Sequence, residues 1–335
     1  MLDLDFLGID LAGLNDGAVA APEGEGNVLL YDGDGACYTH SAGVKNIETC
    51  YRRLERDILT MMYLTGCDHS RVHLTPKGCH KNGRHLLLGV KGYQDNRGSN
   101  KKPELLEELR DGAAYHFRDH PTITIIPQYQ IEADDGLIID AYQLKNGILI
   151  SPDKDLNLNP YKDYVVEDGV FRKLPDGDTF GWVKRKDWLT PSGRKSSKMV
   201  GKGIKFYFAQ LLMGDTADNV KGIITLNGKT CGMAGALAAL EPITCPHEAA
   251  NYVLDGYRLI DQNIIPESEA LWLLRNLEDS SYKLFNEYEL TTANKQFLDD
   301  CYYNRQWKLT QEEYDELCRS REYRLNRWLY YSKVQ

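Results

Sequence analysis

The chain has 335 residues, 42% hydrophobic and 27% charged, with a net charge of −9. That length fits one large globular domain, or a domain with an appendage, and excludes a low-complexity chain. No apolar run approaches the roughly 18 residues of a membrane-spanning helix. The start, MLDLDFLGIDLAG, is acidic and lacks the basic segment of a signal peptide. Eight cysteines (37, 50, 67, 79, 231, 245, 301, 318) show no framework spacing, which predicts reduced thiols and a cytoplasmic setting. The acidic balance weighs against a surface wholly devoted to nucleic acid. Basic residues nevertheless gather at Lys91 to Lys102 and at Lys184 to Lys205.

Residues 1–27 end in the Gly-rich APEGEGN and read as a weakly structured lead-in. VLLYD, from Val28 to Asp32, predicts a buried strand closed by a GDG turn. Ile47, Tyr51, Leu54, Ile58 and Met61 fall at helical spacing, and Gly66 ends that helix. RVHLT (71–75) predicts a second strand, and a basic, Gly-rich stretch follows. PELLEELRDGAAYHF predicts a helix with Pro103 near its first turn. TITII (122–126) predicts a strand, IEADDGLIIDAYQL a helix, and GILIS (147–151) a fourth strand. This alternation predicts an α/β fold with a mostly parallel central sheet and right-handed crossovers. YVVEDGVFRKL predicts a hairpin turning at Asp168-Gly169. A basic, loop-rich segment is expected to run from there to 205. ESEALWLLRNL and TQEEYDELCRSREYRLNRWLYY predict later helices.

Four acidic clusters stand beside predicted strand or helix ends: Asp32 and Asp34; Glu132, Asp134 and Asp135; Asp153 and Asp155; Asp215 and Asp218. Open α/β sheets place their sites beyond the carboxyl ends of the strands, so these acids are expected to converge. Magnesium takes oxygen ligands and keeps several waters. Converging carboxylates that would otherwise repel one another therefore point to divalent cations and phosphodiester chemistry. Asp215 and Asp218 share a helix face at spacing three. The later Gly, Asn and Thr residues suit a turn into a helix N-terminus that grips phosphate. Taken singly, each cluster also reads as a turn or a helix start. Cys67, His69, His73, Cys79 and His80 match no common zinc spacing. No G-x-x-x-x-G-K-[ST] loop is present.

The segment GDTADNVKGIITLNGKT resembles the helix–three-turn–helix signature of the 5′-nuclease superfamily, the flap endonucleases and phage 5′→3′ exonucleases. Gly214, Asp215, Thr216, Asp218, Asn219, Gly222, Lys229 and Thr230 match without a gap. Thr225 and Asn227 stand where that family has glycines. YDGD, IEADD and DKDL resemble its other acidic motifs in the same order, and the start and spacing are similar to exonucleases of short-tailed coliphages. The resemblance covers about residues 28–240 and implies a PIN-like 5′-nuclease core, with the helix–three-turn–helix at about 208–240; the helical pattern beyond it predicts a C-terminal extension over 241–335.

The resemblance further implies two Mg²⁺ ions, with Mn²⁺ able to substitute, and K⁺ in the helix–three-turn–helix. It implies cleavage of duplex DNA at 5′ ends or flaps, and a role in phage replication or recombination. Gly222, Asn227, Gly228, Lys229, Thr230 and Tyr93 become the DNA-binding residues. Two positions depart from the family pattern. No acid follows the second strand near Pro76, so Asp34 either substitutes or that ligand is absent. The helical-gateway motif reads Tyr93-Gln94-Asp95-Asn96-Arg97. Arg97 matches, and Lys91 or Arg84 is the candidate for the second positive charge. Two other readings stay open: a DNA-end-binding protein with a degenerate site, and a PIN-type ribonuclease.

Overall fold

The computed structural model describes residues 26–99, 101–144 and 146–303. The expected N-terminal lead-in up to residue 25 and the tail helix from 310 lie outside them. Five parallel strands form the sheet: β1 Val28–Asp32, β2 His69–Leu74, β3 Ile123–Pro127, β4 Gly147–Ile150 and β5 Asp163–Val165. A sixth, β6 Val170–Arg172, returns antiparallel through the Asp168-Gly169 turn. The order is β3-β2-β1-β4-β5-β6. The chain leaves β1 toward β2 on one side and later returns to β4 on the other. The crevice of an α/β sheet opens at such a reversal.

Successive strand residues face opposite sides. Leu29 and Tyr31 of β1 pack on one face with Leu54 and Ile58 of α2 (Ile47–Thr65) and Leu109 of α3 (Leu106–His116). Leu30 faces the other side, with Leu137 and Ile138 of α4 (Ala133–Leu144) and the almost wholly apolar α5 (Ile204–Met213). Asn46 caps α2 by accepting the Glu48 N–H at 2.9 Å, and Gly66 ends it at φ +64°. Helices α6 Met233–Leu240, α7 Pro246–Leu259, α8 Ile265–Leu271, α9 Ser281–Asn286 and α10 Thr292–Tyr303 share the core of α5. No described helix is long and apolar enough to cross a membrane, and the seven described cysteines are free thiols.

Three expectations are corrected. GDG does not form a turn: it opens α1 (Gly33–Ser41), with Asp32 as its cap. A Cβ at Gly33 would lie 2.6 Å from the His73 carbonyl, so only glycine lets α1 start this close to β2. The basic segment expected as loop is a ribbon, β7 Trp182–Leu189 paired with β8 Lys195–Lys202. ESEALWLLRNL is helical only to Leu271; Trp272 turns extended, and Trp272 to Leu274 are buried.

Lys202 is 1% exposed, and its ammonium has no hydrogen-bond partner beyond an ion pair at 3.3 Å with Asp163, which Arg172 also holds. Burial lowers its pKa to about 8. The unfolded lysine keeps its proton to about pH 10.4. Stability from this group is therefore full above that value and lost as pH falls toward 8. Lys202→Met should raise stability at pH 7 by on the order of 3 kcal/mol. It should also remove the gain in melting temperature between pH 8 and 10, read by thermal denaturation across that range.

Candidate active site

Asp32 ends β1. Its Oδ1 accepts the N–H groups of Asp34 (3.0 Å) and Gly35 (3.2 Å), and its Oδ2 accepts the Ser151 hydroxyl (2.6 Å). Burial raises its pKa to about 6. Asp34 reaches across to the end of β2, where it accepts the Thr75 N–H at 3.0 Å and lies 3.2 Å from Arg110. It thus occupies the position beyond β2 at which the chain supplies Pro76 rather than an acid. Thr75 also accepts the Ala133 N–H (2.9 Å), fixing the start of α4 against β2.

From that start Asp134 faces Asp32, Asp153, Glu132 and Asp34, and makes no hydrogen bond or ion pair with any described residue. Burial and the surrounding negative field push its pKa well up. Asp153, exposed beyond β4, accepts the Asp155 N–H at 2.9 Å and so shapes the turn Lys154–Leu158. Asp32, Asp34, Asp134 and Asp153 form a first group of acids at the crevice between β1 and β4.

A second group lies alongside, and the chain neutralises it with its own cations. Lys154 bridges Asp155 (3.2 Å) and Asp215, and the Gln210 amide donates to Asp155. Burial and Asp153 raise the Asp155 pKa to about 8. Burial opposes the charged form of Asp215, but Lys154 outweighs it and the pKa falls. Asp215 and Val220 exchange backbone hydrogen bonds (2.8 and 2.7 Å), and Asn219 adopts φ +58°. This closed turn, in place of the helix face expected for Asp215 and Asp218, follows the end of α5 at Met213 and presents Asp218, which accepts from Gln94 (3.0 Å) and pairs with Arg97. Glu132 accepts from Arg84 (2.9 Å) and Tyr93 (2.7 Å), with Lys81 at 3.4 Å. Burial is again overcome, here by Arg84 and Lys81, and the Glu132 pKa is lowered.

Several expected roles change with this geometry. Arg84 is 2% exposed; it makes two 2.7 Å bonds to Asp135 and one of 2.6 Å to the Trp272 carbonyl. It holds the site together from beneath and presents no face to a phosphate. Asp135 is likewise fully buried against Arg84 and the Leu274 N–H (3.1 Å), closed to an ion. Lys91 does not share a helix face with Gln94, because helical geometry begins only at Asp95, in a short 3₁₀ turn. It stands at the lip of a narrow cleft with Tyr93, Val220 and Glu267. The Tyr93 ring is buried and its hydroxyl turned to Glu132, so it offers no stacking surface. Gly222 is buried at φ +67° with its N–H held by Glu267 at 2.9 Å, which removes it as a phosphate donor.

Asn227 (φ +52°) and Gly228 (φ +74°) form a two-residue turn between the paired Leu226 and Lys229, as Asn-Gly favours. Gly228, Lys229 and Thr230 are exposed ahead of α6. Thr225, unlike Asn227, is absent from the positive-φ residues. The helix–turns–helix outline therefore stands on a backbone path without glycine at 225.

Sequence reasoning overlooked Lys81 and Lys154. Lys154 was visible as the residue between two candidate acids. Lys81 opens three successive left-handed residues, Lys81, Asn82 and Gly83 (φ 49°, 55°, 72°), and the Asn-Gly pair was the available signal. Among the described residues no three His, Cys, Asp or Glu side chains form a ready metal cage.

No family model matches the chain, and no curated protein matches it in sequence. Among solved structures it is similar to a bacteriophage T5 protein co-crystallised with metal ions, at 13% identity and a TM-score of 0.43. It is also similar to the T5 5′-exonuclease with bound zinc (14%, 0.45) and to a T5 flap endonuclease in a pseudo-enzyme–product complex with DNA and metal ions (13%, 0.42). Each likeness spans 82% of this chain and 98% of the other.

Proposed function

We propose that the chain is a 5′-nuclease: a divalent-metal-dependent hydrolase of DNA phosphodiesters at 5′ ends or flaps of duplexes. The observation that carries this reading is Asp134, an acid without hydrogen bond or counter-charge, facing Asp32, Asp34 and Asp153. Such a group either keeps its proton or ionises against a cation supplied from outside. Magnesium suits it, because that ion binds through one or two carboxylates and fills its shell with water and phosphate oxygens, without a protein cage. One or two carboxylates from the set Asp32, Asp134 and Asp153 would hold the ion, which would supply an activated water and neutralise charge on the phosphate.

The chain's own contributions surround that point. Arg97, half-exposed and paired with Asp218, is the rim cation placed beside the second group of acids to engage the scissile phosphate. Lys229, Thr230 and the turn before them would hold the duplex backbone without reading sequence. A second ion would belong to Asp155, Asp215 and Asp218, where Lys154 must first swing aside.

The test uses matched duplexes labelled at the 5′ or the 3′ end, with Mg²⁺ or EDTA. Short labelled products released first from the 5′ end, only with Mg²⁺ and not by Asp153→Ala, are the expected result. The saturation of the second group by Lys154 and Arg97 favours one competing reading, a DNA-end binder without cleavage. Retention of ends without product in both Mg²⁺ and Mn²⁺ would select it.

A further inference from the structure

We propose that the β7–β8 ribbon is a second DNA-holding element, which lies in a groove of the duplex and grips phosphates on both sides. The inference rests on the DNA reading above. The ribbon is paired along eight residues on each strand, a length of about 26 Å at the strand rise of about 3.3 Å. Only its base is packed, by Val183, Met199 and Gly201; on β7 every residue from Lys184 outward is exposed.

The exposed part carries Lys184, Arg185, Lys186, Arg194, Lys195 and Lys198 against a single acid, Asp187. In a chain of net charge −9 this concentration is local, not compositional. Folding does not call for it. Lys186 and Lys198 stand directly opposite one another, and like charges so placed destabilise a ribbon. The nearest relief is Asp168, 3.6 Å from Lys186.

Cross-strand partners share a face. Lys184, Lys186 and Lys198 therefore line one side, and Lys195 with Arg185, the latter paired with Asp187 at 2.7 Å, the other. Cations on both faces of a thin ribbon match a groove walled by phosphates on both sides. The major groove admits a two-stranded ribbon, and lysine contacts to phosphate carry no sequence preference. The base is tied to the acid site. The Gly203 N–H donates to the Asn157 carbonyl (2.8 Å), in the turn that carries Asp155, and β8 leads directly into α5, which ends two residues before Asp215.

The test measures full-length protein binding to a labelled duplex long enough to reach both ribbon and acids, in EDTA, across a salt series. The comparison is with the combined variant Lys184→Gln, Lys186→Gln, Lys198→Gln. Each phosphate contact contributes about 0.9 to the slope of log affinity against log salt. The slope should therefore fall by about 2 to 3 while the melting temperature holds or rises. An unchanged slope in a variant whose wild-type parent binds and cleaves overturns the ribbon proposal alone. An equal loss on single strands of the same length overturns the duplex assignment. Wild-type protein that binds no DNA overturns the proposed function and the ribbon with it.

Discussion

Asp134→Asn is expected to remove metal-dependent cleavage and, at the same time, to raise the melting temperature of the ion-free protein. The two effects share a cause. Asp134 faces Asp32, Asp153, Glu132 and Asp34 with no bond to offset them. Replacing it by a neutral amide removes the cost of burying a carboxyl among acids, by about 1 kcal/mol or a few degrees in a chain of this size. Turnover should fall about a thousandfold, since losing a well-held ion forfeits several kcal/mol at about 1.4 kcal/mol per factor of ten. Magnesium should stabilise the wild type by about 2.7 kcal/mol at a hundred times its dissociation constant, and the variant by far less. Calorimetric melting with and without Mg²⁺ reads both. A fall in the ion-free melting temperature would show instead that Asp134 supports the fold.

Arg84→Met is expected to produce the largest loss of stability of any substitution at the site, about 3 to 5 kcal/mol. It strands the Asp135 carboxylate, which is 0% exposed, and frees Glu132 and the Trp272 carbonyl from their shared donor. Arg84→Met combined with Asp135→Leu should recover much of that loss, because a buried pair removed whole leaves no lone charge. Urea unfolding of the two single variants and the double variant measures the coupling. An Arg84→Met protein as stable as wild type but weaker on DNA would return Arg84 to the phosphate-binding role that its sequence position suggested.

The sheet was legible because its strands are short apolar runs separated by strongly periodic helices, and a buried parallel sheet needs that pattern. Asp-Gly-Asp was misread because the same residues favour a turn and a helix cap; only the proximity of Gly33 to His73 decides between them. The β7–β8 ribbon escaped notice because both its faces meet solvent beyond Val183, so no apolar alternation marks it. The acids themselves were legible as clusters after strands. Their counter-charges were not: that Arg84 is buried, Lys154 inserted and Lys81 turned inward depends on contacts as many as 188 positions apart. Composition at one position carries no record of such contacts.

The two bonds from the Trp272–Leu274 segment, one from Arg84 to the Trp272 carbonyl and one from the Leu274 N–H to Asp135, bear on when the molecule becomes competent during synthesis. All the acids have been translated by residue 218, yet the clasp that balances Asp135 arrives more than fifty residues later. A nascent chain emerging from the ribosome thus holds its acids without their final support, and so does one truncated before Trp272. Closure of the support beneath these acids is therefore expected to wait until Trp272 to Leu274 have been made.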